Sequence, residues 1–113
     1  MVQEKLTIHF QYDQSSLNAS DTLALRIRGE ILAWSKNGRA RIDCYGDNRG
    51  GEDHNQKLSE RRAACVREFL LYHGARLSMV QVAGHGSQSP VAPNDSEENM
   101  AKNRRAEIQV QGI

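Results

Sequence analysis

Strand-like and helix-like patterns alternate along this sequence, and that alternation restricts the possible fold more than any other feature. Four segments are predicted to be strands: Lys5–Tyr12, Arg39–Tyr45, Met79–Ala83 and Arg104–Gln111. In the first two and the last, apolar residues occupy every second position, which is typical of strands with one buried face. Because helical patterns separate the strands, the sequence favours a sheet with parallel pairs and with its helices on one face.

Two longer helices and one short helix are predicted. The first begins at Ser20–Asp21, which can cap a helix, and runs to about Lys36. The second runs from Asn55, a candidate N-cap, to about His73, and a single turn follows at Ser96–Lys102. The order β-α-β-α-β-(short α)-β indicates an α+β fold, a two-layer α/β sandwich. The apolar positions that support the first helix are Leu23, Ile27, Ile31 and Trp34.

Length and charge indicate one domain and exclude two classes of partner. A chain of 113 residues suits a single domain over residues 1–113, with a core from about residue 6 to residue 111. Its 15 basic and 14 acidic residues nearly cancel, so it lacks the positive field that attracts nucleic acid. No apolar run approaches the roughly 18 residues of a membrane span, so direct membrane insertion by this segment is not expected.

The stretch Gly46–Leu70 joins a Gly-rich acidic loop to the second helix. On a helical wheel, Arg62 falls in the middle of the apolar stripe of that helix, and a guanidinium on an inward face must find acceptors. The nearest upstream carboxylates include that of Asp47 in the loop. Two interpretations remain open: a loop-to-helix ion pair, or the two ends of a clamp for a ligand that carries both charges.

The residues of this stretch also resemble a family signature. They are Asp47, Gly50, Asn55, Leu58, Ser59, Arg62 and Ala63, followed later by Asn103, Arg104 and Arg105. The pattern is similar to the D-x-x-G, N-x-x-L-S-x-x-R-A and N-R-R-x-E-I motifs of the OmpA-like peptidoglycan-binding domains, the family of OmpA, Pal and MotB. The similarity runs from about Ile8 to Val110. One departure is that the family's G-H-T-D reads Cys44-Tyr45-Gly46-Asp47 here.

The resemblance implies a mixed four-stranded sheet of order 1-4-2-3 with the last strand antiparallel. It also implies non-covalent binding of peptidoglycan through meso-diaminopimelate, which would anchor a larger envelope protein to the cell wall. No enzymatic activity, metal or cofactor is expected. The implied location is the periplasm of a Gram-negative cell, associated with the outer membrane. The start at Met1–Val2 is then interpreted as an artificial boundary from which a signal or anchor has been removed.

Six residues are predicted to bind the ligand. In the family, the residues that match Asp47 and Arg62 hold the free amino-acid head of diaminopimelate. Asn55 is most simply an N-cap, although the first helical turn also suits an anion. Leu58 is interpreted as a core residue that also lines the pocket. Asn48 and Gly50 are predicted backbone donors, as are Arg49 and Gly51 beside them, and a tight turn explains the two glycines equally well.

A second interpretation is a protein–protein module of the cell envelope that keeps the fold but has a modified or lost pocket. It rests on the altered Cys44-Tyr45-Gly46 run, because Tyr45 is bulky beside Asp47. Other envelope proteins would then be the partners.

Six further residues carry smaller predictions. His54 and His85 lie in polar loops without a recognisable nucleophile and acid, so we predict solvated side chains. Cys44 and Cys65 are predicted to be free thiols in the core, with a disulfide as the open alternative, and their spacing does not suit zinc. Arg104 and Arg105 would point in opposite directions on a strand, one to the helix layer or groove and one to solvent.

Overall fold

The structure, a computed structural model, describes residues 3–112. The strands are β1 (Gln3–His9), β2 (Arg39–Tyr45), β3 (Val80–Gly84) and β4 (Arg105–Gln111). The helices are α1 (Ala19–Trp34), α2 (Glu52–Tyr72) and α3 (Glu97–Asn103), and a 3-10 turn covers Leu77–Met79. This order confirms the predicted β-α-β-α-β-α-β arrangement. The boundary predicted at Met1–Val2 lies outside the described residues.

The four strands form one mixed sheet in the order β1-β4-β2-β3. Strand β3 runs parallel to β2, with Ala40 opposite Val80. Strand β4 runs antiparallel to both of its neighbours, so that Ile108 lies between Leu6 and Ile42. The predicted sheet order and the antiparallel last strand are both confirmed.

Helices α1 and α2 cover one face of this sheet, as predicted. The strand residues that point toward them are buried: Ile8, Ala40, Ile42, Cys44, Ala106, Ile108 and Val110. The alternate residues of β1 and β2 form the opposite, polar face, where Lys5, Thr7, His9, Arg39 and Arg41 are exposed. This period of two follows from the pleat of the strands, and it places the core between the sheet and the two helices.

The face of helix α1 that packs against the core is not the apolar stripe from which the helix was predicted. Its buried residues are Leu25, Gly29 and Leu32, whereas Leu23, Ile27, Ile31 and Trp34 are 59, 48, 40 and 92% exposed. The reason is the close approach of α2, because a Cβ at Gly29 would lie 2.9 Å from His73 Cβ. Three residues of this exposed stripe, Ile27, Ile31 and Trp34, line a shallow groove of about 710 Å³. The groove lies at the start of β2, whereas Asp47 follows the end of that strand, so the two are at opposite ends of β2.

No helix among residues 3–112 is both long enough and apolar enough to cross a bilayer.

Both cysteines are free thiols, as predicted, and they should differ in reactivity. Cys44 lies buried on β2, and burial raises its pKa to about 12, whereas Cys65 on α2 is partly exposed. Because the thiolate is the reactive form, iodoacetamide should label Cys65 in the folded domain and both residues after unfolding. Mass spectrometry without reductant measures this. A product two hydrogens lighter that resists alkylation would instead reveal an internal disulfide.

Candidate functional site

The candidate site lies where β2 ends, between the loop that follows it, the first turns of α2 and the segment after β1. Four of the six predicted residues meet there, namely Asp47, Asn55, Leu58 and Arg62. The cavity between them is small, about 10 Å³, which is about the room that one water molecule needs. The other residues that line it are Tyr12, Asp13, Gly46, Arg49, His54 and Arg104.

The Asp47 carboxylate is buried and fully engaged within the protein. Its Oδ2 atom accepts hydrogen bonds from Arg49 Nη2 at 2.7 Å, Arg49 Nε at 3.2 Å and Arg104 Nη1 at 3.1 Å. Its Oδ1 atom accepts from the Arg49 backbone N–H at 3.0 Å. Burial raises the pKa of Asp47, but the hydrogen bonds from Arg49 and Arg104 outweigh burial and hold the pKa below its usual value. Asp47 is therefore ionised at neutral pH.

Arg62 lies in the apolar face of α2, only 1% exposed, as its place in the stripe predicted. The suggested ion pair with a loop carboxylate is wrong, because Arg62 donates to backbone carbonyls. Its Nε, Nη1 and Nη2 atoms reach the oxygens of Gln14 at 2.8 Å, Tyr45 at 3.3 Å and Gln11 at 3.2 Å. Burial lowers the pKa of Arg62 to about 10, so the charge persists at neutral pH.

These contacts leave part of the Arg62 guanidinium available. The three hydrogen bonds use three of its five N–H groups, so two have no acceptor among the described residues. The Nη1 atom lies beside Gly46, where a Cβ would stand 3.6 Å away. Arg62 is thus held rigidly by the backbone and keeps donors for a further acceptor.

Arg104 and Arg105 are both buried, so the prediction that one of them faces solvent is wrong. Arg104 donates to Phe10 O at 2.9 Å and Glu97 Oε1 at 2.8 Å, in addition to Asp47. Arg105 lies on the outer face of the sheet but is covered, with its guanidinium 3.9 Å from the Tyr45 ring centroid. Neighbouring side chains therefore bury both residues even though they point in opposite directions.

The Tyr45 side chain stays away from the pocket. Its ring is held between the Arg105 guanidinium and the His85 ring, whose centroid is 4.8 Å away. Because Tyr45 points to the outer face of β2, its bulk does not obstruct the space beside Asp47. Within the altered Cys44-Tyr45-Gly46 run, Tyr45 therefore faces the outer side of the sheet, Cys44 lies in the core, and Gly46 lines the pocket.

Of the other four predicted residues, Asn55 and Leu58 line the cavity, whereas Asn48 and Gly50 do not. Asn55 is buried in the first turn of α2, and the N-cap is Gly51, so the N-cap prediction for Asn55 is wrong. Leu58 is buried beside the pocket, as predicted. Asn48 is exposed and does not line the cavity. Gly50 has φ +85°, a value that favours glycine, which agrees with its interpretation as a turn residue.

The prediction that His54 and His85 are solvated side chains in polar loops is wrong in two respects. Both contact carboxylates, and His54 lies in the first turn of α2. His54 Nε2 lies 2.8 Å from Asp13 Oδ1 at the edge of the pocket. His85 Nε2 lies 2.8 Å from Asp43 Oδ1 on the outer face of the sheet. Residues 3–112 contain no cluster of three His, Cys, Asp or Glu side chains suited to a metal ion.

Sequence reasoning considered Arg49 only as a backbone donor and missed its side chain, which makes the shortest contact to Asp47. Besides that contact, Arg49 Nη2 lies 3.0 Å from Glu97 Oε2, and its guanidinium lies 3.9 Å from the Tyr12 ring centroid. An available signal was the spacing, because an Asp carboxylate can accept from the backbone N–H two residues later. That turn directs the Arg49 side chain back over Asp47.

The chain is similar in sequence to known peptidoglycan-associated and peptidoglycan-binding proteins. Over 102 residues, the chain is 32% identical to the peptidoglycan-associated lipoprotein of Pseudomonas putida, covering 90% of this chain and 61% of that protein. It is 37% identical over 103 residues to the peptidoglycan-binding protein ArfA of Mycobacterium bovis, covering 91% of this chain and 32% of that protein. The chain therefore spans about three fifths and one third of the lengths of these two curated relatives.

A solved structure gives the same result for the fold. The crystal structure of the peptidoglycan-associated lipoprotein from Burkholderia pseudomallei matches with a TM-score of 0.88 at 27% identity, covering 93% of this chain and 89% of that chain. The model of the OmpA family matches residues 9–104, a range that includes Asp47, Arg62 and Arg104. Because this match covers most of the sequence, the chain belongs to the OmpA family.

Proposed function

We propose that this domain binds peptidoglycan non-covalently through the meso-diaminopimelate residue of the stem peptide. The observation that carries the proposal is the placement of Asp47 and Arg62 on the walls of one small pocket. The free end of diaminopimelate bears an ammonium and a carboxylate on the same carbon, so it needs an acceptor and a donor close together. No bond is made or broken, so the domain is a binding module and not an enzyme, and no metal or cofactor is required.

Each end of this head group has a specific partner in the proposal. The ammonium pairs with the ionised Asp47 carboxylate, and the carboxylate accepts from the two N–H groups that Arg62 has left. Asn55 and Leu58 line the space beside them. Asn48 and Gly50 belong to the loop between Asp47 and α2 and do not line the cavity. Because three backbone carbonyls fix the Arg62 side chain, it loses little conformational freedom on binding.

The names of the relatives agree with this chemistry. One is a peptidoglycan-associated lipoprotein and another a peptidoglycan-binding protein. Since both are longer than this chain, we propose that the domain is one module of an envelope protein that it anchors to the cell wall, with the module facing the periplasm. A narrower form of this proposal places the parent protein in the outer membrane of a Gram-negative cell. The relatives do not by themselves select that cell type, because ArfA comes from Mycobacterium bovis.

The choice of diaminopimelate predicts a preference between wall types. Lysine-type peptidoglycan keeps the ammonium but lacks the second carboxylate, so the free donors of Arg62 would stay unpaired. Leaving such donors unpaired costs about 1–3 kcal/mol, which corresponds to about 5- to 150-fold in affinity. Co-sedimentation with sacculi of both types measures this, with free diaminopimelate as the competitor.

The outcomes of this experiment separate the two candidate functions. Preference for the diaminopimelate-type wall, with release by the free amino acid, supports the proposed pocket. Equal affinity for both wall types would refute the role of the second carboxylate. Failure to bind either wall would favour a protein–protein module of the envelope.

A further inference from the structure

We propose that Arg49 occupies the position of the ligand ammonium in the free domain and must leave Asp47 before the ligand binds. This inference rests on the proposed function and adds to it a residue that determines specificity. Arg49 would compete with the ligand for the Asp47 carboxylate. This competition would determine how much affinity a ligand gains by carrying an ammonium.

The first argument is the saturation of Asp47. Arg49 supplies three of the four hydrogen bonds to this carboxylate, and Arg104 supplies the fourth. A carboxylate offers about four lone-pair sites. Three of these bonds reach Oδ2 and the fourth reaches Oδ1, so Oδ2 has no lone pair left for an ammonium while the Arg49 side chain remains in place.

The second argument is space. The cavity of about 10 Å³ accommodates about one water molecule, whereas an amino-acid head group has five non-hydrogen atoms. The Arg49 side chain is one of the walls, and it is only partly buried, with 33% of its surface exposed. Arg104, the other cation at Asp47, is 5% exposed and is also held by Phe10 O and Glu97. Arg49 is therefore the wall that can move.

The third argument is that Arg49 keeps partners after it leaves Asp47. Its Nη2 atom lies 3.0 Å from Glu97 Oε2, on a side chain that is 62% exposed. Its guanidinium also lies over the Tyr12 ring, which is exposed at the rim. These contacts stabilise the displaced Arg49 guanidinium near the mouth of the pocket. When Arg49 moves away, the ligand ammonium replaces its guanidinium at Asp47.

This exchange gives Arg49 a role in discrimination. A ligand with an ammonium must displace Arg49, and the energy of the Arg49–Asp47 pair is subtracted from its binding energy. A dicarboxylate without an ammonium offers Asp47 no cation in place of Arg49, so its binding gains nothing when Arg49 is removed. The residue therefore reduces the difference in affinity between diaminopimelate and its deaminated analogue, pimelate.

Calorimetric titration of the parent domain and Arg49→Gln with diaminopimelate and pimelate tests this. We expect Arg49→Gln to bind diaminopimelate about three- to tenfold tighter, because the competing pair is only partly buried, and to bind pimelate no more tightly. Arg49→Lys, which keeps the charge but loses the planar fork, should fall between the two. Arg41→Gln is the matched control, because Arg41 pairs with Asp43 at the same sequence separation on the outer face.

A second measurement needs no ligand. Since hydrogen bonds from Arg49 lower the pKa of Asp47, Arg49→Gln should raise that pKa in an NMR titration of the carboxyl carbon. An unchanged pKa would overturn the inference, as would equal or weaker binding of diaminopimelate by Arg49→Gln when the parent binds. If neither protein binds diaminopimelate, the proposed function fails and the competition fails with it, whatever the NMR titration shows.

Discussion

Arg62→Ala is expected to lower the free energy of unfolding by about 3 kcal/mol or more, because each buried carbonyl left without its donor costs about 1–3 kcal/mol. The substitution removes donors from Gln11 O, Gln14 O and Tyr45 O together. These carbonyls belong to the segment after β1 and to the end of β2, so Arg62 joins both segments to α2. It also leaves a cavity in a well-packed face, which adds to the loss. Urea unfolding followed by circular dichroism measures the change.

The neighbouring arginine provides the control for this experiment. Arg61 precedes Arg62 on the same helix but is exposed, so Arg61→Ala should change the free energy of unfolding by no more than about 0.5 kcal/mol. Arg62→Lys should lie between the parent and Arg62→Ala, because one ammonium cannot reproduce three donors fixed in a plane. If Arg62→Ala were as stable as Arg61→Ala, Arg62 would have no structural role and only its place in the pocket would remain.

The fold could be predicted from the sequence because its signals are local. The alternation in β2 and the helical stripe around Arg62 each lie within one element, and both appear as expected in the structure. The face of α1 could not be predicted in the same way. Its more apolar stripe is exposed, and the buried face is selected by Gly29, where a small residue allows α2 to approach. Such contacts between distant elements leave little trace in local periodicity.

The residues that line the site could be predicted from the sequence, but the hydrogen-bond partners of those residues could not. Asp47 and Arg62 both line the pocket, yet Arg62 donates to carbonyls that lie 17 to 51 residues away. Every residue has a backbone carbonyl, so residue identity does not indicate which carbonyls will accept from Arg62. The contact of the Arg49 side chain with Asp47 was missed for a related reason. The charge of Arg49 is common on a surface loop, and only the turn at Asp47 directs this side chain inward.

Asp47→Asn is expected to weaken diaminopimelate binding by about 10- to 100-fold, or about 1.4–2.8 kcal/mol. The amide keeps the size of the side chain and can still accept from the Arg49 backbone N–H, but it loses the charge that attracts an ammonium. Asparagine is a sharper test than alanine, because alanine would leave the buried Arg104 guanidinium beside an empty space. Arg104 retains Glu97 and Phe10 O in either variant, so Asp47→Asn should fold.

The control for Asp47→Asn is the same change at Asp43. Asp43 also pairs with an arginine two residues away and has a pKa below its usual value, with burial opposed by hydrogen bonds from His85 and Arg41. It faces the outer side of the sheet, so Asp43→Asn should bind diaminopimelate as the parent does. Titration calorimetry beside thermal melts separates lost binding from lost folding. Normal binding by a folded Asp47→Asn domain would remove Asp47 from the site, and with it the explanation of why Arg49 lies there.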